Sequence, residues 1–331
     1  MSGQSAFQHL AVAGKLGHSE AGGNAPGPSL TAQGLKEQLS DGQVKARVIR
    51  VEPDELESLL TWPDRLISYE QLPDLQAWAP PGATTYLVAR HEDPRVAPPW
   101  GSLGALLESW AGTAGRGAGT GQVEQVLSRA RERIGNRRLR VLTTTDRPLL
   151  GLSSAVSMTP QLMPVTVTEE YLRSLKVLGE ALSKWDAKSG LAQITSGSGP
   201  HRLPVQQSPA LRSGSGTGWG IGLLAPAVGG QVLDAWETMM QLNAASLQAP
   251  TDLVVALTGP LHSHTVAYSP IPVLGQWAQQ QAVPFVVFTH ESTISRYEVA
   301  QWAVTNVYHV SGRDDAESVQ GILARTWLRK C

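Results

Sequence analysis

DLVVALTGPLHSHTVAYSPIPVLGQWAQQQAVPFVVFTH, residues 252–290, is the stretch that decides the fold class. Two short runs in it, LVVAL and FVVF, are apolar at every position, as strands buried on both faces are. Between them, PIPVLGQWAQQ repeats its apolar residues at helical spacing behind a proline start. Strand, helix and doubly buried strand together make a parallel unit with a crossover helix. The alternation continues downstream with SRYEVAQWAV (295–304) as a helix, NVYHV (306–310) as a strand and DAESVQGILARTWLRK (315–330) as a closing helix.

Working back towards the amino terminus, HLAVAG (9–14), VKARVIRV (44–51), ATTYLVAR (83–90) and LRVLTTTD (139–146) read as strands. LTAQGLKEQL (30–39), VEQVLSRARERI (123–134) and EEYLRSLKVLGEALSKW (169–185) read as helices. In the second of these, Val123, Val126, Leu127, Ala130 and Ile134 share one face. Residues 18–29 are too rich in Gly and Pro for regular structure, and the Ser-, Gly- and Pro-rich 191–215 reads as a mobile loop or a connection between domains. The fold class is α/β, with a mostly parallel sheet.

A chain of 331 residues is long enough for two domains. A net charge of −1, with only 17% charged residues, gives no electrostatic reason for a nucleic acid or an anionic membrane as partner. The basic run RARERIGNRRLR (129–140) sets its helical arginines opposite the apolar face, an ordinary solvated surface. The lone cysteine, Cys331, excludes an internal disulfide framework. No apolar run reaches membrane-spanning length, and the first residues lack a basic, then apolar, leader pattern. A cytoplasmic protein is the expectation.

Parallel sheets bind ligands beyond the carboxyl ends of their strands. That rule singles out TGPLHSHT (258–265), THEST (289–293) and Asp146 at the end of TTTD. Asp146 suits either a magnesium ligand or a turn former before Arg147-Pro148. His262, His264 and His290 fall on one rim, but without carboxylate or cysteine spacing they read as loop residues rather than a metal site. GTAGRGAGTG (112–121) precedes a helix, where backbone N–H groups can hold an anion with help from Arg116. GSGTGWGIG (214–222) puts glycine at every second position, which suits close approach by a ligand or by a second piece of backbone.

Several segments in order resemble the glycerate kinase family, the type built from a Rossmann-like and a flavodoxin-like domain. TTTDRPLLGLSSAV is similar to the family's C-D-V-D-N-P-L-L-G segment, with Asp146, Pro148, Leu149, Leu150 and Gly151 matching. The glycine ladder resembles G-A-G-A-A-G-G-L-G through Gly214, Gly216, Gly220 and Gly222. LVVALTGPLHSHT resembles L-V-I-T-G-E-G-R-L-D-S-Q-T, WAGTAGRGAGTG resembles G-G-S-A-T-N-D-G-G-A-G, and Ser29 to Ala32 match K-G-S-L-T-A. The resemblance implies a Rossmann-like domain from 1–60 and 223–331 and a flavodoxin-like domain over 61–222. It further implies transfer of the ATP γ-phosphoryl group to a hydroxyl of glycerate, with Mg²⁺, in a groove between the domains.

Carried over residue by residue, it makes Asp146, Arg116 and His262 the catalytic candidates, with Asp146 also the magnesium ligand. Gly112, Thr113, Gly117, Gly214, Gly216, Thr258, Gly259 and Ser263 become the substrate- and nucleotide-binding candidates. The charged groups are where the pattern departs. The family's loop Asp falls at Gly117 and its Asn at Arg116; its Glu, Arg and Asp fall at Thr258, Pro260 and His262. Phosphoryl transfer depends on such charges. Two readings follow: a kinase with compensating residues, Glu291 among them, or a catalytically silent relative that binds a small sugar acid or a protein.

Overall fold

Among the described residues nine strands form, seven where the sequence predicts them and two in addition. The computed structural model describes residues 7–16, 30–39, 44–89, 99–113, 122–150, 178–182, 208–263, 266–310 and 315–328. The strands are β1 (His9–Gly14), β2 (Lys45–Ile49), β3 (Arg65–Leu66), β4 (Thr84–Ala89), β5 (Arg138–Thr143), β6 (Gln231–Asp234), β7 (Leu253–Leu257), β8 (Phe285–Thr289) and β9 (Asn306–His309). They make two sheets, β2-β1-β7-β8-β9 and β3-β4-β5-β6, in which every pairing is parallel. Every residue of β7 and β8 is buried, as their unbroken apolar sequence requires.

The chain divides into two units, Met1–Leu59 with Trp236–Cys331, and Leu60–Ala235. The first holds the five-stranded sheet. Counted along this unit, its strand order is 2-1-3-4-5, the flavodoxin-like order. The sequence reading attached that label to the central segment and the Rossmann-like one to the two-ended unit; the topology differs because β7 returns beside β1 rather than beyond β2. One layer of its core packs Leu10, Val12, Leu35, Val255, Phe288 and Leu323, and the other packs Ala11, Val254, Leu274, Trp277 and Val287.

The central unit carries β3 to β6 in simple chain order. Its return to the first unit falls at 236 rather than 223, because β6 pairs with β5 (Val141 opposite Val232) and the Ile221–Ala227 helix buries its apolar side in the central core. The Val123–Ile134 helix buries the five residues of its expected face. The Leu103–Ala111 helix beside it, not read from the sequence, is capped by Ser102, whose side chain accepts from Ala105 N at 3.1 Å. Of the 169–185 segment only residues 178–182 are described; they are helical, with Leu178 and Leu182 buried.

Two contacts fix the two-ended sheet at opposite edges. At the amino edge, the Asp252 carboxylate accepts from Gln8 N (2.9 Å) and His9 N (2.8 Å) and lies 3.2 Å from His9 Nδ1. Desolvation pushes this carboxyl up, but the bonds from the His9 and Gln8 amides and the His9 ring together outweigh it and hold it below the ordinary carboxylate range. At the carboxyl edge, Gly14 has φ +79°, and a Cβ there would stand 2.3 Å from Leu257 O.

A carboxyl lowered in the folded state contributes stability that is present above its unfolded value and is lost as pH falls through the folded one. Asp252→Asn is therefore expected to flatten the acid side of the stability–pH curve, read by denaturant unfolding at a series of pH values. Gly14→Ala meets both an unfavourable φ and a backbone clash, and should cost roughly 1–3 kcal/mol in the same measurement.

Candidate functional site

Beyond the carboxyl ends of β4 and β5, the central sheet is crossed by a strap, residues 208–222. Close packing leaves little room for side chains at several of its glycines. A Cβ on Gly222 would lie 2.0 Å from Gly214 O, and one on Gly220 2.8 Å from a Leu103 methyl. The N–H of Gly214 donates to Asp146 O at 3.0 Å and that of Gly216 to Arg147 O at 3.2 Å. Ser215, Thr217, Gly220 and Gly222 likewise donate to carbonyls within the strap. These amides are engaged by the protein's own backbone, which is the opposite of a phosphate cradle.

Threonines bolt the strap down. Thr217 donates to Ala89 O at the end of β4 (3.2 Å), and its hydroxyl lies 3.0 Å from Thr143 Oγ1 at the end of β5. Thr143 in turn donates to Thr145 O at 2.5 Å and accepts from Thr145 N at 3.1 Å. Thr143, Thr145 and Thr217 are buried, so the first and last threonines of the TTT triplet serve the turn that presents Asp146, which is itself exposed. Ser215 adds a further tie, accepting from Leu149 N (2.9 Å) and donating to Ala210 O (3.0 Å). Trp219, held at φ 52°, packs its ring 5.2 Å from Tyr69 and 6.0 Å from Trp100.

Gly112 and Thr113 close a helix instead of opening one. Gly112, at φ 70°, caps Leu103–Ala111, and the Thr113 N–H donates to Glu108 O at 2.9 Å. Arg133 reinforces this end by donating to Ser109 O (3.1 Å) and Trp110 O (2.9 Å). A helix carboxyl end carries partial negative charge, the wrong sign for a phosphate. Arg116 and Gly117 lie outside the described residues, as does His264.

In the two-ended unit the loops after β7 and β8 are zipped to each other. Leu261 and Ser292 form a parallel bridge, with Leu261 N donating to Glu291 O (2.8 Å) and Thr293 N to Leu261 O (2.9 Å). Fully buried Thr289 rivets the base of this pair, its Oγ1 lying 2.7 Å from Gly259 O and 2.8 Å from Glu291 O. Thr258 continues the sheet, donating its N–H to Phe288 O at 3.0 Å. His262 projects from the zipper with Nδ1 2.9 Å from Thr293 Oγ1.

Ser263 hydrogen-bonds the Glu298 carboxylate, which also accepts from Ser295 N (2.8 Å) and Ser295 Oγ (2.7 Å). The Ser295 amide, then the Ser263 and Ser295 hydroxyls, hold this carboxyl below its ordinary range. His290 Nδ1 lies 3.0 Å from Val310 O and its Nε2 3.2 Å from Asp315. The two histidines thus turn to different partners, and among the described residues no group of three His, Cys, Asp or Glu could hold a metal ion.

His262, Thr258, Gly259 and Ser263 are brought together on one edge, with Glu291 exposed on the facing loop; Asp146, Gly214 and Gly216 gather on an edge of the central unit. The stretch THEST was singled out from sequence, but neither Thr289 nor Thr293 was given a role in it. Thr293 stands 31 positions from His262, and no local pattern marks such a contact.

Compared with protein-family models and with curated proteins, the sequence matches none. Solved structures do match it. One is a protein described as "putative glycerate kinase 2" from Salmonella typhimurium LT2, with a TM-score of 0.55 and 13% identity over 92% of this chain and 90% of that one. The chain has a glycerate kinase-like two-domain α/β fold. Among the described residues no helix is long and apolar enough to cross a membrane.

The strap's glycines can be tested against an ordinary one. Gly222→Ala should lower stability by roughly 1–3 kcal/mol through the clash with Gly214 O. Gly104→Ala, in a helix where the nearest atom to a new Cβ is Ser102 Oγ at 3.7 Å, should raise stability by about 0.5 kcal/mol. Thermal unfolding of both variants checks the opposite signs.

Proposed function

We propose that the protein is a glycerate kinase-like phosphotransferase that moves the γ-phosphoryl group of ATP to a hydroxyl of glycerate. The observation that carries this reading is the fold likeness over 92% of the chain to a protein described as a glycerate kinase. The ordered sequence segments that resemble that family add to it, and several of them fall at carboxyl ends of parallel strands, where such sheets bind ligands. ATP and a small hydroxy acid are then the partners, and the cytoplasm is where the protein would meet them.

Phosphoryl transfer relies on positioning and on neutralising charge at the phosphates. Magnesium in such sites is held by one or two carboxylates, with phosphate oxygens and water completing its shell. Exposed Asp146 fits as one such carboxylate. The ion would supply charge neutralisation at the transferring group. Taken by itself, the loop after β7 offers His262 as a group suited to take a proton from a substrate hydroxyl.

A second reading, a silent relative that binds a sugar acid without turnover, is favoured by one observation: the strap amides that resemble a nucleotide loop are already bonded to carbonyls. An assay of ADP release by the full chain with Mg-ATP separates the two. The kinase reading expects ADP formation that requires glycerate and that Asp146→Asn lowers by about 100-fold. Glycerate that raises the unfolding temperature, by mass action on the folded state, without any dependent ADP release would establish the silent reading instead.

A further inference from the structure

We propose that Thr293 is a positioning residue for His262, fixing the ring in the tautomer that accepts the proton of the substrate hydroxyl. The inference deepens the phosphotransferase reading and rests on it. Its starting point is the amount of structure invested in holding two loops together. Thr289, with no exposed surface, bridges both loops through Gly259 O and Glu291 O. Leu261 is tied through its N–H to Glu291 and through its carbonyl to Thr293, and His262 O accepts from Val266 N at 2.9 Å. The backbone is thereby pinned before His262 and at its carbonyl, and the 2.9 Å contact from Nδ1 to Thr293 Oγ1 pins the ring.

The partner's chemistry matters as much as its distance. A threonine hydroxyl can accept from an Nδ1–H whether or not the imidazole carries a second proton, so the contact survives both protonation states. Donation by Nδ1–H puts the ring's lone pair on Nε2. A group that gains a proton during transfer and loses it afterwards needs a neighbour with that tolerance. In the proposed step the hydroxyl oxygen of the substrate forms a bond to the γ-phosphorus, and the bond from that phosphorus to the bridging oxygen breaks. ADP leaves with the electron pair, and the hydroxyl proton passes to His262 Nε2. Thr293 touches neither substrate nor nucleotide in this scheme; it sets which nitrogen is basic and where it points.

The test compares the full-length wild type with Thr293→Val, which keeps the side chain's shape, and with Thr293→Ser, which keeps the hydroxyl. Nitrogen NMR of histidine-labelled protein reads the tautomer of His262, identified by the signals lost in His262→Gln. The expected result is a proton on Nδ1 of neutral His262 in the wild type, a loss of that preference in Thr293→Val and its recovery in Thr293→Ser. In the ADP-release assay, kcat should fall about 10–100-fold in the valine variant with KM little changed, and the serine variant should recover most of it. A wild-type ring protonated on Nε2, or a valine variant that keeps both tautomer and kcat, would overturn the proposal. The two failures are distinguishable. A wild type without glycerate-dependent turnover removes the reaction and with it the proton-accepting role, while an intact turnover with an indifferent Thr293 removes this inference alone.

Discussion

Parallel strands deliver their polypeptide to one edge of a sheet, and every polar group of the loops there must be satisfied without the help of a covering helix. This requirement shapes both units. In the central sheet the strap's amides bond to carbonyls after β5, and the hydroxyls of Thr143 and Thr217 link the ends of β4 and β5. In the two-ended sheet the same task falls to Thr289 and to the Leu261–Ser292 bridge. Buried threonines at strand ends do the joining in both, because a hydroxyl can reach a neighbouring carbonyl while its methyl packs with the core.

The two edges spend their polar groups differently. The strap closes on itself so tightly that at Gly222 a side chain would collide with Gly214 O. Its rigidity is a property of the scaffold. The zipped loops instead leave side chains of chemical interest on the outside: His262 against Thr293, Ser263 against Glu298, and Glu291 exposed. The resemblance to a kinase is therefore clearest in the glycines, while the ionisable groups suited to chemistry collect where the resemblance in charge is lost.

Much of this was legible in the sequence. β7 and β8 announced themselves by unbroken apolar runs, and the Val123–Ile134 helix by a single apolar face, since both patterns follow from burial alone. β6 was missed because four residues after Gly229-Gly230 are too few to show a period. The Leu103–Ala111 helix was legible and went unread: Leu103, Leu106, Leu107, Trp110 and Ala111 recur at helical spacing, and all five are buried. Gly112 misled for a sharper reason: a glycine that ends one helix looks the same as a glycine that precedes the next, and only the hydrogen bonds to Glu108 and Ser109 reveal which it is. Contacts such as His262 with Thr293 join separate loops and are created by the fold itself.

The proposed reaction, with His262 as proton acceptor, expects the loops after β7 and β8, and not the glycine strap, to respond to the hydroxy acid. Amide hydrogen exchange on the full chain, with and without glycerate in the presence of Mg-ATP, tests it most directly. The account predicts added protection on glycerate binding in residues 258–263 and 290–295, with strap amides 214–222 slow to exchange throughout. Strap amides that exchange freely in the unliganded protein and become protected on glycerate binding, while the zipped loops do not change, would contradict it.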